Sequence, residues 1–433
     1  MIPGALIMKI RNHQISVYGS TMNLNLFHRR ARPIMVLTLL IVFLYFLISF
    51  RRPPEYNHYM IKRPHCFRSV EYLGKRTKRQ NYKVINLWTE FDHDKFEYRN
   101  LITRHLQKCP FRCFVTDNPK SLMDSDAVFF HLTDIWIPNW EIGTKRTVPL
   151  PSESDPNQIW IIHNSEPPFY LFGDVNIFGD IFNWTMWYRS DSTIFDPYGR
   201  YQYLDQVQRE QRHIQYEKRS IYSEKSKFMV GAISNCKDPA RRYLLVDEMA
   251  KYLDFEMFGK CYGNRMCGTA WRDGDKNCDE ELKKYRFYLA FESNYCKDYI
   301  TEKYWNALDR EQIPVVNWKR MDILSGYVPN SFINVYDFSS MKDLTDYIKL
   351  VNSNETLYNS YFEWQKNITI DLTGRIAWCE LCQKLHSMDE NYKPQTVDFR
   401  NYIDSDVCLT TTKEIYNAEL KARADFLERK AGV

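Results

Sequence analysis

Short apolar runs bounded by charged or turn-forming residues recur from residue 82 to residue 318, and helical spacing fills the gaps between them. Runs with little polar alternation mark strands buried on both faces, as in parallel sheets. Residues 82–88, 126–132 and 158–163 are the first predicted strands, with a helical pattern over 96–108. A polar, charged stretch over 203–227 then reads as a connection. A second alternation follows, with strands at 227–233, 255–258, 286–292 and 313–318 and helices over 239–253 and 302–309. This alternation predicts an α/β fold in two halves, residues 81–215 and 216–385, with an extension over 386–433.

The longest apolar run lies apart from that pattern. Residues 34–50 carry no charge, and at about 1.5 Å per residue they would reach roughly 25 Å, enough for a thin early-secretory membrane. Arg29, Arg30 and Arg32 precede the run and Arg51 and Arg52 follow it. The excess of positive charge on the amino-terminal side predicts a cytosolic tail (1–33), a single-pass anchor (34–50) and a lumenal body. A cleaved signal peptide is the other reading, but its apolar region would be shorter and end in small residues. Residues 51–80 are basic and rich in Pro and Tyr, and read as a stem.

Cysteine usage agrees with a lumenal body. All 11 cysteines follow the apolar run. Sequons at Asn183, Asn354 and Asn367 add three candidate glycosylation sites, as a glycosylating, oxidising compartment would allow. The Cys109/Cys113 and Cys379/Cys382 spacings suit zinc or disulfides, and such a compartment favours disulfides. The net charge of +5 decides little, and no basic groove interleaved with aromatics appears, so nucleic acid is a poor partner.

Candidate chemistry concentrates in residues 286–308. An apolar strand runs into a polar loop, then into a helix whose N-cap is Thr301. Strand, loop and helix N-terminus form the arrangement that holds an anionic group in α/β folds. Lys303 would add a full charge there, and Glu302 could accept from sugar hydroxyls; a surface helix with a solvated Glu-Lys pair is the bland alternative. In the first half, Glu166 follows a buried strand directly and is stiffened by Pro167 and Pro168. His163 is a rival base with a suitable pKa, against which stands the ordinary strand-end histidine bonded to backbone.

The segments FYLAFE (287–292) and DYITEKYWNAL (298–308) resemble the signature of the α1,3-fucosyltransferases, which move L-fucose from GDP-fucose onto N-acetylglucosamine. WTMWYRSDSTIFDPYG (184–199) is similar to a second family segment. The resemblance covers roughly residues 81–385. It implies a GT-B architecture of two Rossmann-like domains facing across a cleft, acceptor on the first and donor on the second. It implies Glu166 as catalytic base, with Arg242, Tyr299, Glu302 and Lys303 around the donor. The family usually reads Phe-Glu-Asn-Ser where this chain has Phe291-Glu292-Ser293-Asn294, so Ser293 or Asn294 supplies the donor contact. Thr193 replaces the second acid of the family segment, so residues 191–193 are not a metal clamp and no metal is required. Manganese or magnesium could still stimulate by pairing with free diphosphate. The family pattern also pairs Cys109 with Cys379 and Cys113 with Cys382. Cys261, Cys267 and Cys296 resemble invertebrate members that act on the innermost GlcNAc of N-glycans. The expected protein is thus a Golgi type II enzyme acting on the N-glycan core of glycoproteins. An antennary Lewis-type enzyme is the alternative, and a membrane-anchored lectin without turnover the reading from another class.

Overall fold

A computed structural model of the chain describes residues 10–11, 14–17, 20–23, 81–89, 95–135, 148–170, 178–217, 219–262, 276–319, 324–389, 392–404 and 408. The expected anchor at 34–50 and stem at 51–80 lie outside the described residues. Among the described residues no helix is long and apolar enough to cross a membrane. The chain divides into two compact units, Met1–Tyr59 and Met60–Val433. The first holds a small antiparallel sheet of β1 (Ile10–Arg11), β2 (Gln14–Val17) and β3 (Ser20–Asn23).

The second unit is built on two parallel sheets. One comprises β4 (Lys83–Leu87), β5 (Cys113–Thr116), β6 (Ala127–His131), β7 (Ile159–Asn164), β8 (Trp184–Trp187) and β9 (Ile194–Phe195), in the order β5-β4-β6-β7-β8-β9. β10 (Arg200–Tyr203) leaves that sheet. The other comprises β11 (Lys227–Ala232), β12 (Glu256–Phe258), β13 (Tyr285–Leu289), β14 (Ile313–Val316) and β15 (Ile333–Asn334), in the order β12-β11-β13-β14-β15. β16 (Ile368–Asp371) returns to pair antiparallel with β10.

The apolar runs form central strands because both faces of each sheet are covered. In β6, Val128 and Phe130 enter one core cluster while Ala127 and Phe129 enter another. β7 divides the same way, with Trp160 and Ile162 against Ile159 and Ile161. In the second sheet Phe287 and Leu289 face one cluster and Tyr288 the other. Each sheet also reverses its strand order once, between β4 and β6 and between β11 and β13. In open α/β sheets the crevice beyond the carboxyl ends of the strands at such a reversal is where ligands bind.

The structure departs from the expected organisation at three places. The connection over 203–227 contains a helix, Gln206–Tyr216, opened by a capping box on Asp205 and Gln208. The helix expected over 239–253 spans Arg242–Met249, because Arg241 sits in the left-handed region at φ 53° and breaks the first turn. Helix Arg375–His386, expected in the second half, packs Trp378, Leu381 and Leu385 into the first sheet's core. Phe399 and Ile403 of the extension pack into that sheet's other core.

Disulfides fix this return. Cys109 joins Cys379 and Cys113 joins Cys382, at sequence separations of 270 and 269. Further bridges join Cys236 to Cys261 and Cys296 to Cys408, and Cys278 is disulfide-bonded as well. His386 approaches Cys113 and Cys382, but both sulfurs are spent in the bridge and its Nε2 lies 2.9 Å from the Arg112 carbonyl. That cluster is a disulfide and not a zinc site.

The three sequon asparagines differ in their surroundings. Asn183 is only 4% exposed; its Oδ1 accepts from Trp160 N at 2.8 Å and its Nδ2 donates to the Gln395 carbonyl at 3.2 Å. Asn354 and Asn367 are exposed.

Candidate active site

The two carboxyl edges meet around Glu166. Glu166, two residues past β7, is exposed at its tip, and Tyr299, in the loop after β13, donates its hydroxyl to Glu166 Oε2 at 3.1 Å. Tyr299 itself is buried, its ring 5.1 Å from Tyr188 and 6.2 Å from Tyr198. The loop of the second sheet is therefore set into the core of the first.

The backbone around Glu166 is held in place. Its carbonyl accepts from Trp187 Nε1 at 3.1 Å and Asn164 Nδ2 at 3.2 Å, and Tyr198 donates to the Ser165 carbonyl at 2.8 Å. Desolvation by surrounding protein pushes the Glu166 carboxyl above the ordinary range, while Lys303 and the Tyr299 hydroxyl pull the other way. A carboxylate raised in this manner is a better proton acceptor near neutral pH. His163 is buried and turned away, its Nε2 3.2 Å from Asp196 Oδ2, and burial lowers its pKa.

Across the cleft, helix Glu302–Asp309 begins on Thr301, which caps it. Lys303 Nζ lies 2.8 Å from Thr301 Oγ1, 3.2 Å from Glu302 Oε1 and 3.4 Å from Glu292 Oε2. Burial works against its charge, but Glu292 and Glu302 outweigh that and hold the ammonium protonated well above its usual range. Glu292 is buried, and burial raises its pKa even though Thr301 donates to it from both N (2.7 Å) and Oγ1 (2.9 Å). Gly199 lies against this helix so closely that a Cβ there would overlap the Trp305 indole.

Arg242 comes from the element after β11, so it flanks the reversal between β11 and β13. It is buried; its Nη1 donates to the Phe291 carbonyl at 3.2 Å and its Nη2 to the Asn235 carbonyl at 3.3 Å. Asp238 sits 3.2 Å from its Nε. Arg241 is partly exposed on a different bearing. Ser293 and Asn294 are both buried, and the Ala240 N–H donates to the Ser293 carbonyl at 3.0 Å, tying the two loops together. The expected residues thus converge: Glu166 from the first sheet faces Tyr299, Glu302 and Lys303, with Arg242, Ser293 and Asn294 behind them.

Asp298 is a residue that the pattern did not single out. At φ 56° its carboxylate accepts from Ser190 N (2.9 Å) and Oγ (2.6 Å) and from Ser325 N (2.9 Å) and Oγ (2.6 Å). It latches the first sheet's loop to the second sheet's loop one residue before Tyr299. The only signal in the sequence was an acid able to adopt the left-handed region. Asp191 is likewise committed, held bidentately by Arg189 at 2.9 and 2.7 Å and by Lys297 at 3.2 Å.

Comparison with known proteins bears on what such a site does. Residues 222–399 match the C-terminal model of glycosyltransferase family 10 (fucosyltransferase), and residues 80–199 match the fucosyltransferase N-terminal model. The chain is 35% identical over 337 residues to glycoprotein 3-alpha-L-fucosyltransferase A of Drosophila melanogaster, covering 77% of this chain and 61% of that one. It is 31% identical over 337 residues to alpha-(1,3)-fucosyltransferase fut-5 of Caenorhabditis elegans, covering 76% of this chain and 84% of that one. With alpha-(1,3)-fucosyltransferase 7 of Mus musculus it shares 33% over 278 residues, covering 63% and 64%. It thus spans less than two thirds of the fly and mouse relatives. A crystal structure of an alpha1,3-fucosyltransferase with GDP-fucose aligns at TM-score 0.44 and 15% identity, over 74% of this chain and 97% of that one. That likeness is too loose to position any residue.

Proposed function

This chain belongs to glycosyltransferase family 10, the fucosyltransferases, and from that premise we propose that it transfers L-fucose from GDP-fucose to O3 of N-acetylglucosamine in glycoprotein glycans. The acceptor O3 attacks the fucose anomeric carbon from the face opposite the diphosphate. Glu166 takes the O3 proton as the new C–O bond forms. The old bond to the diphosphate breaks and GDP departs unprotonated, so its charge needs cations more than an acid. Lys303 and the N–H groups opening helix Glu302–Asp309 meet that charge first. Arg242 joins them by exchanging its carbonyl partners for phosphate oxygens. Ser293 or Asn294 supplies a hydroxyl or amide contact to the donor, and the Glu302 carboxylate accepts from its hydroxyls.

The observation that carries this reading is the 3.1 Å bond between Tyr299 and Glu166. It sets a proton acceptor at the carboxyl edge of one parallel sheet against an anion-binding helix at the strand reversal of the other. Two such sheets suit the GT-B plan, acceptor on the first and donor on the second. The commitment of Asp191 to Arg189 and Lys297 supports catalysis without a required metal ion, any divalent stimulation acting on free diphosphate.

The acceptor we assign is the innermost GlcNAc of the N-glycan core, supported by the likeness to a fly relative whose name specifies a glycoprotein. The disulfides and the charge-free run at 34–50 support a Golgi enzyme anchored as a single-pass type II protein, with its catalytic unit lumenal. The test is a panel of glycan acceptors incubated with the protein and GDP-fucose. The expected product carries fucose on the reducing-end GlcNAc of N-glycans. Transfer only to antennary GlcNAc would move the assignment to the Lewis type, and glycan binding without GDP release would make the protein a lectin.

A further inference from the structure

A second cavity, of about 620 Å³, is lined by Tyr203, Arg209, Asn330, Glu363, Trp364 and Asn367 among others. None of these residues belongs to the site described above. The volume falls within the roughly 300–1,000 Å³ of small-ligand sites, and the walls are of two kinds. Tyr203 is 71% exposed and Trp364 partly so, giving aromatic faces. Arg209, Asn330 and Glu363 are exposed polar groups around them. Arg209 makes no ion pair among the described residues. Apolar faces ringed by hydrogen-bonding groups match a sugar, whose C–H face carries slight positive charge toward the negative π face of an aromatic ring.

The occupant is named by the wall itself. Asn367 heads the sequon Asn367-Ile368-Thr369, is exposed and, unlike Asn183, makes no side-chain hydrogen bond among the described residues. Disulfides throughout the second unit point independently to an oxidising compartment of the secretory route. We propose that Asn367 carries an N-linked glycan whose first N-acetylglucosamine residues lie in this cavity, against Tyr203 and Trp364. The donor is a lipid-diphosphate-linked oligosaccharide. A bond forms from Asn367 Nδ2 to the sugar anomeric carbon, the bond from that carbon to the diphosphate breaks, the lipid diphosphate leaves, and the amide gives up one proton. Thr369 lies in β16, paired with Gln202 of β10, so the sugar is added before that ribbon closes. The glycan then covers the aromatic surface that the ribbon exposes. This inference needs passage through a glycosylating compartment and does not depend on fucosyl transfer.

The full chain, made in a secretory eukaryotic host, is digested with an endoglycosidase that cuts between the two core GlcNAc residues, and Asn367 is followed by glycopeptide mass spectrometry. The expected result is an occupied Asn367 cut at least tenfold more slowly in the native than in the denatured protein. Tyr203→Ala with Arg209→Ala, both at exposed positions, should restore most of the native rate while leaving occupancy intact. An unmodified Asn367, or a glycan cut equally fast in the native and denatured protein, overturns the proposal. Protection unchanged in the double variant also overturns it.

Discussion

At the scale of single residues, the site works by balancing one carboxylate between crowding and two partners. With Glu166 as the proposed base, transfer needs its carboxyl ionised, so kcat/KM should fall as pH drops through its pKa. Crowding places that limb above the ordinary glutamate value of about 4.3. The Tyr299 hydroxyl favours the carboxylate, so Tyr299→Phe should move the limb to higher pH. A limb left in place, measured from pH 4 to 8, would show that the bond does not act on the base. The cations answer to a different readout. Lys303→Ala and Arg242→Ala should weaken GDP-fucose binding and turnover together, since the diphosphate is charged before and during transfer. Arg242→Ala should also lower Tm, because it strands the buried Asp238 carboxylate. Arg241→Ala should do neither, as its side chain points elsewhere. The positions of Glu166, Arg242 and Lys303 stood out because each follows a strand end or opens a helix, and Lys303 lies in a family segment. The Asp298 latch did not, because its partners Ser190 and Ser325 lie 108 and 27 residues away and only folding joins them.

At the scale of elements, apolar runs located seven of the eleven strands in the two parallel sheets, because both faces of those sheets are covered and leave no polar alternation to blur the signal. Helix ends were less legible. Arg241 delayed the start of the expected helix through its own backbone angle, which no side-chain pattern reports. The docking of helix Arg375–His386 was invisible to periodicity, since an amphipathic helix shows that it has a buried face but not which sheet receives it. The disulfides make that docking a covalent matter. In the chain-entropy model a loop of 270 residues closed by Cys109–Cys379 stabilises by about 5.6 kcal/mol. Reducing or replacing both bridges to helix Arg375–His386 should therefore inactivate the enzyme through lowered Tm, with donor affinity retained below the melting transition. Peptide mapping without reductant checks the pairing first. Donor affinity lost while Tm is unchanged would put the bridges in the site and out of the scaffold.

At the scale of the whole molecule, the chain joins two parallel sheets through a buried tyrosine, an aspartate latch and a returning carboxyl-terminal segment. The proposed site is the contact between the sheets. In the proposed clamp protein cations meet the diphosphate, and Asp191 is already paired, so activity should persist in excess EDTA. Complete loss that returns only with manganese or magnesium would contradict the cationic clamp. The most direct measurement is product analysis from the intact protein and its Glu166→Gln variant with GDP-fucose and a GlcNAc-terminated N-glycan core. The account predicts fucose in α1,3 linkage from the wild type, and a variant that still binds GDP-fucose but turns over roughly 10²–10⁴-fold more slowly. A variant that keeps most of its activity at saturating acceptor, or a wild type that forms no fucosylated product, would contradict it.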